Sequence, residues 1–127
     1  MTRGWAAVAV VAFATSFTQL TPAMASAQPV ARAATSCRLG SKFDKLGPTY
    51  VEQLNVSRTS CATGENVIKA YNHCRLKAGG VRGHCNSKVL GFRCSEKPRS
   101  SSPDQFVANT RCTAGREVVA FSYSENT

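Results

Sequence analysis

The sequence predicts an α+β domain in which one helix packs on a small antiparallel sheet and disulfide bonds stabilise both. Three observations lead to this class. One stretch has the periodicity of an amphipathic helix, the segments around it favour β-strands, and all six cysteines follow a leader-like N-terminus. A domain of about 100 residues buries only about two thirds of its unfolded surface, so we expect the disulfides to supply much of its stability.

The helix is predicted over residues 60–74, with a cysteine near each end. At about 100° per residue its apolar and small side chains fall within one arc, and most polar ones lie outside it. The arc consists of Cys61, Gly64, Val67, Ile68, Tyr71 and Cys74. Ser60 is a natural N-cap, and Gly79 followed by Gly80 predicts the stop. This is the pattern of a helix that packs one face.

Residues 1–27 have the features of a secretory signal peptide. Arg3 precedes an uncharged run rich in Ala, Val and Phe, and small residues at cleavage spacing end at Ala27. A membrane anchor is the alternative, but the run is shorter than the roughly 20 residues that a spanning helix needs. We predict cleavage after Ala27, with Ala33 as the second choice. No later segment is apolar enough to span a bilayer, so we expect a secreted protein.

The exported part of the chain is predicted to be one domain. Residues 28–36 lack periodicity and are predicted to be a flexible lead-in, and residues 37–127 form a single disulfide-rich domain. There are no internal repeats.

The six cysteines predict three disulfide bonds. They are Cys37, Cys61, Cys74, Cys85, Cys94 and Cys112. An even number of cysteines in an exported chain favours disulfide bonds. Because the sequence contains neither a Cys-x-x-Cys pair nor a second histidine at zinc-finger spacing, we predict no metal site, and we predict no cofactor. Of the many possible pairings, the preferred one joins Cys74 to Cys85 across a basic glycine loop, Cys94 to Cys112 between neighbouring strands, and Cys37 to Cys61 at the helix start.

Four segments are predicted to be extended. The first covers residues 50–56, with imperfect alternation, and the second covers residues 89–94. Residues 105–112 and 117–123 form a hairpin, because Gly115 between them can take the positive φ of a tight turn.

Two stretches between these segments are predicted to be exposed connections. Residues 77–87 carry three glycines, and residues 95–103 carry two prolines and three consecutive serines. Both compositions are typical of turns and loops rather than of core elements.

Three short motifs occur in these elements: Thr59-Ser60-Cys61-Ala62 at the helix start, Leu90-Gly91-Phe92-Arg93-Cys94 in a strand, and Thr110-Arg111-Cys112-Thr113-Ala114-Gly115 before the last strand. Together they resemble small secreted cysteine-containing domains that are common in high-GC Gram-positive (actinobacterial) bacteria. The resemblance covers residues 51–123 and implies location and fold but no activity, since the family has no settled function. Cys74 and Cys85 look like an addition to the family pattern.

Candidate catalytic residues are few. His73 and His84 each precede a cysteine, and a Cys74–Cys85 bond would tether both imidazoles near one bridge among cations. One neutral imidazole and one imidazolium beside a cation are what acid–base cleavage of RNA requires. The alternative is that both are ordinary exposed residues. The acidic residues form no evident carboxylate pair, and no nucleophile elbow or phosphate-binding glycine motif occurs.

Charge favours a binding role. Without the signal peptide, which contains Arg3, 15 Lys and Arg residues stand against 7 Asp and Glu, a net charge of +8. Such a charge attracts an anionic cell-surface polymer, nucleic acid or an extracellular protein, although it also serves solubility alone. A basic patch is predicted at Lys77, Arg82, Lys88 and Arg93.

These observations predict a secreted, non-enzymatic binding protein for an anionic surface, a polyanion or an extracellular protein. One alternative is a small cationic hydrolase or toxin, ribonuclease-like through the two histidines. Another is a protease inhibitor that presents the loop from Lys77 to Asn86, because a braced exposed loop is a suitable rigid substrate mimic.

Overall fold

A computed structural model describes residues 32–127. The elements are β1 (Thr35–Ser36), β2 (Tyr50–Ser57), α1 (Cys61–Gly79), β3 (Arg93–Ser101), β4 (Gln105–Ala114) and β5 (Glu117–Asn126). The five strands form one antiparallel sheet in the order β1-β2-β5-β4-β3, and α1 packs on one of its faces. The predicted class, one helix on a small antiparallel sheet, is confirmed. The predicted signal peptide and residues 28–31 lie outside the described residues.

The helix begins where the sequence predicts and runs five residues beyond the predicted range, as far as the predicted stop at Gly79. The backbone N–H of Thr63 donates to Ser60 Oγ at 3.0 Å, which makes Ser60 the N-cap, and the last helical residue is Gly79. The helix packs closely on β2 at Gly64, where an added Cβ would lie 2.9 Å from the Val56 side chain. A glycine at this point in the apolar arc therefore sets how near the helix approaches the sheet.

The three disulfides have the predicted pairing. They join Cys37 to Cys61, Cys74 to Cys85, and Cys94 to Cys112. The last pair links directly opposite residues of β3 and β4. Each disulfide is expected to contribute about 2–4 kcal/mol, mainly by restricting the unfolded chain.

The prediction of an exposed connection over residues 95–103 is wrong. This stretch forms most of β3, which pairs with β4 from Arg93 to Ser101, and Glu96 within it is largely buried. Pro98 is tolerated because β3 is an edge strand, where the N–H that proline lacks is not needed by a second neighbour. The predicted strand over residues 89–94 is instead a tight turn, in which Val89 and Phe92 exchange backbone hydrogen bonds of 2.9 Å, and extended structure begins only at Arg93.

Two further segments differ from expectation. The glycine-rich stretch predicted as a loop over residues 77–87 starts inside α1 and continues as a short 3₁₀ helix, Gly80–Arg82. In the predicted flexible lead-in, Thr35 and Ser36 pair with Val56 and Asn55 as β1. Backbone hydrogen bonding to a partner strand, which residue composition does not reveal, accounts for this second difference.

A buried ion pair fastens α1 to the sheet. The Arg75 side chain is 0% exposed and donates through Nη2 to the Glu125 carboxylate on β5, while Nη1 donates to the carbonyl of Val81. The guanidinium carbon also lies 4.8 Å from the centre of the Tyr123 ring. The second Glu125 oxygen accepts from the N–H and hydroxyl of Thr49, at 3.0 and 2.9 Å. One pair thus joins the helix, the last strand, the turn after the helix and the segment before β2.

Removing one charge of this pair should be strongly destabilising. We expect Glu125→Gln to lower the free energy of unfolding by about 3 kcal/mol, because the buried Arg75 guanidinium loses its counter-charge. Chemical denaturation measures the change. Glu117→Gln, at the other end of the same strand, is the control and should cost less than about 0.5 kcal/mol. Equal losses would show that the ion pair has no special role.

Gly83 is required by a close approach between backbones. A Cβ at this position would lie 2.2 Å from the carbonyl oxygen of Arg75 and 2.7 Å from the nitrogen of Gly79. We expect Gly83→Ala to destabilise the protein by about 2 kcal/mol or more, since the chain must move away from the helix end. Thermal unfolding measures the loss of stability. Gly79→Ala, whose Cβ would meet nothing within 4 Å, is the control and should destabilise the protein clearly less. A reversed order would refute the steric argument.

Candidate functional site

The two faces of the sheet have different chemistry. Alternate residues of each strand point toward α1 and form the core, and the residues between them form an open face that no helix within residues 32–127 covers. Across the four long strands, residues in register make rows on this open face. One row is Gln53, Ser122, Asn109 and Lys97, and the next is Asn55, Ala120, Arg111 and Ser95. Seven of these eight side chains are polar.

A cavity of about 430 Å³ lies over these two rows, and we call it the open-face groove. Its lining consists of the eight residues of the two rows together with Thr110 and Phe121. Phe121 does not present its ring there, because that ring packs on the helix side with its centre 5.9 Å from that of Tyr71. The groove is therefore lined mainly by amides, hydroxyls and two cations, and it presents no aromatic ring.

Two strand irregularities shape one end of the groove. β2 has a bulge between Val51 and Gln53, and β3 has one between Pro98 and Ser100. The residues inside the bulges are Glu52 and Arg99, and Arg99 Nη1 lies 2.8 Å from Glu52 Oε2. Since β2 and β3 are separated by two strands, this ion pair spans the sheet. The bulge in β2 also explains the imperfect alternation of residues 50–56.

The groove is electropositive. Lys97 and Arg111 are diagonal neighbours across β3 and β4, which places their Cβ atoms about 7–8 Å apart. Arg111 also lines an adjoining cavity of about 210 Å³ together with Arg32. By strand alternation, Glu52 is the one carboxylate of the described strands on this face, and Arg99 already pairs with it.

Sequence reasoning missed this groove. Its residues come from four strands, and their convergence depends on strand order and register, which the sequence does not reveal. One local signal was present in β4, where Asn109 and Arg111 alternate with the buried Ala108, Thr110 and Cys112. Such alternation indicates a strand with one polar face but not which strands adjoin it.

The predicted basic patch is not one surface. Arg82 donates to Ser101 Oγ and to the carbonyl of Ser102 at one end of β3, and Arg93 is the first residue at the other end. A strand of nine residues is about 25 Å long, so these two cations lie far apart. Lys77 is in the last turn of α1 and Lys88 is exposed in the segment after Cys85. Arg93 alone belongs to the open face, opposite Thr113 and one row beyond Arg111.

The two histidines that the sequence offers as candidate catalytic residues have different neighbours. His84 Nδ1 lies 3.5 Å from Glu96 Oε1 on β3, and its side chain is 62% exposed. His73, which is part of α1, lines a separate small cavity beside Lys45, Leu46 and Gly47. The structure therefore gives one imidazole a carboxylate partner and does not show both imidazoles facing one site.

Glu96 is the centre of a buried polar cluster on the helix side. Its Oε2 accepts from the hydroxyls of Tyr71, at 2.8 Å, and Tyr123, whereas its Oε1 has no hydrogen-bond partner within normal distance. Burial raises the pKa of both tyrosines above the usual tyrosine range, and the hydrogen bonds to Glu96 raise it further. Both hydroxyls thus remain protonated donors near neutral pH, which fixes the carboxylate beneath His84.

The raised pKa values of the two tyrosines predict a loss of stability in alkali. An unfolded tyrosine ionises near pH 10, while Tyr71 and Tyr123 keep their protons in the folded state, so stability is complete below pH ~10 and falls as pH rises above it. Denaturation curves at several alkaline pH values measure the slope. Replacing both residues with Phe should flatten it, and Tyr50→Phe, at an exposed position, should not. The same slope in all three proteins would contradict the assignment.

Other site classes find no support in the described part of the chain. Among residues 32–127, no group of three or more His, Cys, Asp or Glu side chains could hold a metal ion. No helix in this range is long and apolar enough to cross a membrane. In the loop from Lys77 to Asn86, residues 77–82 are helical and held by Arg75 and Arg82, so only residues 83–86 have the non-helical backbone that a substrate mimic would need.

Comparison with known proteins adds no relative: the chain matches no family model, and neither the curated proteins nor the solved structures give a match. Functional inference therefore depends on the geometry of the molecule itself.

Proposed function

We propose that this protein is a secreted, non-enzymatic binding protein that holds an anionic ligand in the open-face groove. The observation that carries the proposal is the pair Lys97 and Arg111, which line one cavity whose other lining residues are uncharged and mostly hydrogen-bonding. Glu52, the carboxylate at its end, is matched by Arg99, so an anion entering the groove meets uncompensated positive charge.

The chemistry of the groove suits reversible binding. Arg111 offers a planar fork of donors that matches carboxylate, sulfate or phosphate oxygens, and Lys97 offers a mobile point charge beside it. The groove lining contains serine and threonine hydroxyls but no His, Cys, Asp or Glu side chain. The groove therefore supplies many recognition groups, and its hydroxyls have no imidazole or carboxylate beside them to act as a general base.

A secreted location fits the covalent structure. The three disulfides form and persist in oxidising compartments and are rare in reducing ones. The signal-peptide pattern of residues 1–27 points the same way.

The ribonuclease-like alternative has one contact in its favour. A buried carboxylate beside an exposed imidazole, as in Glu96 and His84, can orient the ring of a general base. It lacks a second imidazole at the same place, since His73 has other neighbours, and it lacks a cation paired with His84. Binding in the groove is therefore the better-supported function.

The charges of the groove provide the first test. We expect the double variant Lys97→Gln/Arg111→Gln to weaken binding to polyanions at least about tenfold, because two direct charge contacts are lost. It should also make affinity less dependent on salt, since fewer counterions are released on binding. Titration calorimetry with heparin, inorganic polyphosphate and polyuridylate at two salt concentrations measures both effects.

The control removes the same amount of charge elsewhere. Lys77→Gln/Lys88→Gln takes two cations from the originally predicted patch and should change affinity by less than about threefold, because exposed charges at a distance are screened. If both double variants weaken binding equally, attraction is by net charge and the groove is not the site. Cleavage of polyuridylate that disappears in His84→Ala would establish the ribonuclease-like alternative instead.

A further inference from the structure

The open-face groove has two unlike halves. The half formed by β3 and β4 carries Lys97 and Arg111, and Arg93 continues it by one row. The half formed by β2 and β5 carries the neutral side chains of Gln53, Asn55 and Ser122. Both lining cations thus lie on one side of the groove, beside Asn109 and Ser95, whereas the side chains of the other half carry no charge.

The cations form a regular series along the strand direction. Arg93 and Arg111 are diagonal neighbours across β3 and β4, as are Arg111 and Lys97, so successive Cβ atoms are about 7–8 Å apart. Such a series matches a chain that repeats an anionic group and lies lengthwise along the strands. An isolated small anion would need only one of these positions.

The neutral half limits what else the ligand can carry. A side-chain amide donates and accepts hydrogen bonds at the same time, and a hydroxyl does likewise. Gln53, Asn55 and Ser122 are therefore suited to alcohol groups, each of which is also both a donor and an acceptor. Single-stranded nucleic acid would instead place bases on this side, and proteins that bind it supply aromatic rings for stacking, which the lining of the groove does not present.

We infer that the ligand is an acidic polysaccharide, with its acidic groups toward β3 and β4 and its hydroxyls toward β2 and β5. This inference rests on the proposed function and specifies its ligand class. Each half then recognises a different group of the ligand: the cations bind its repeated charges, and the amides distinguish a sugar chain from other polyanions.

A comparison of three polyanions tests the ligand class in the unmodified protein. The probes are polygalacturonate, which carries carboxylates and hydroxyls, inorganic polyphosphate, which carries no hydroxyls, and polyuridylate, which carries bases. At equal salt and equal charge per chain, we expect polygalacturonate to bind at least about tenfold more tightly than either of the others, a difference of about 1.4 kcal/mol. Equal or tighter binding of polyphosphate or polyuridylate would overturn the inference.

A variant of the neutral half tests the ligand class separately from the proposed binding function. The double variant Gln53→Met/Asn55→Leu keeps the side chains similar in size and removes the amides. It should lower the affinity for polygalacturonate about fivefold and change the affinity for polyphosphate by less than about twofold. A thermal unfolding midpoint within experimental error of the parent protein verifies its fold. If this variant weakens every polyanion equally, or none, the ligand class is wrong. If Lys97→Gln/Arg111→Gln leaves all three affinities unchanged, the proposed function itself fails.

Discussion

The ion pair between Arg75 and Glu125 is the constraint on which the arrangement of this domain depends. A buried guanidinium with 0% exposure is costly unless its charge and donors are matched. Here the partners come from β5, from the turn after the helix and from Asn72 on the helix itself. Each partner can reach Arg75 only when its own segment is in place, so the pair selects one position of the helix over the sheet.

Most of the other stabilising features described also lie on the helix side. The disulfide between Cys74 and Cys85 begins one residue before Arg75 and holds the following segment against the helix. The Glu96 cluster ties β3 to Tyr71 on α1 and Tyr123 on β5. Because these contacts are on one face, most side chains of the opposite face, apart from the Glu52–Arg99 pair, are available for ligand recognition.

The features of this structure that could be predicted from the sequence are those set by residues close together in the chain. The helix, its N-cap and its stop depend on residues close in sequence, and the cysteine pairing followed from which elements were expected to be neighbours. The edge strand β3 was missed because Pro98 and the serines carry the composition of a loop, and only pairing with β4 makes them extended.

The groove was beyond local reasoning for a similar reason. Lys97 and Arg111 are 14 positions apart in sequence, and the register of β3 against β4 makes them neighbours. The burial of Arg75 was equally hidden, since a basic residue near a helix C-terminus is ordinarily explained by the helix dipole. In both cases a charged residue acquires its role from a partner distant in the chain.

The paired bulges at Glu52 and Arg99 have a consequence for how such a groove can change. A bulge is an extra residue in one strand, so the form of this end of the groove is encoded in strand length rather than in side-chain identity. Substitutions on the open face alter which ligand is accepted while the backbone stays the same. The bulge itself is removed only by deleting a residue from its strand, which would restore regular alternation there and change the form of this end of the groove. Ligand preference in this domain can thus diverge by point mutation, whereas the form of its binding face resists gradual change.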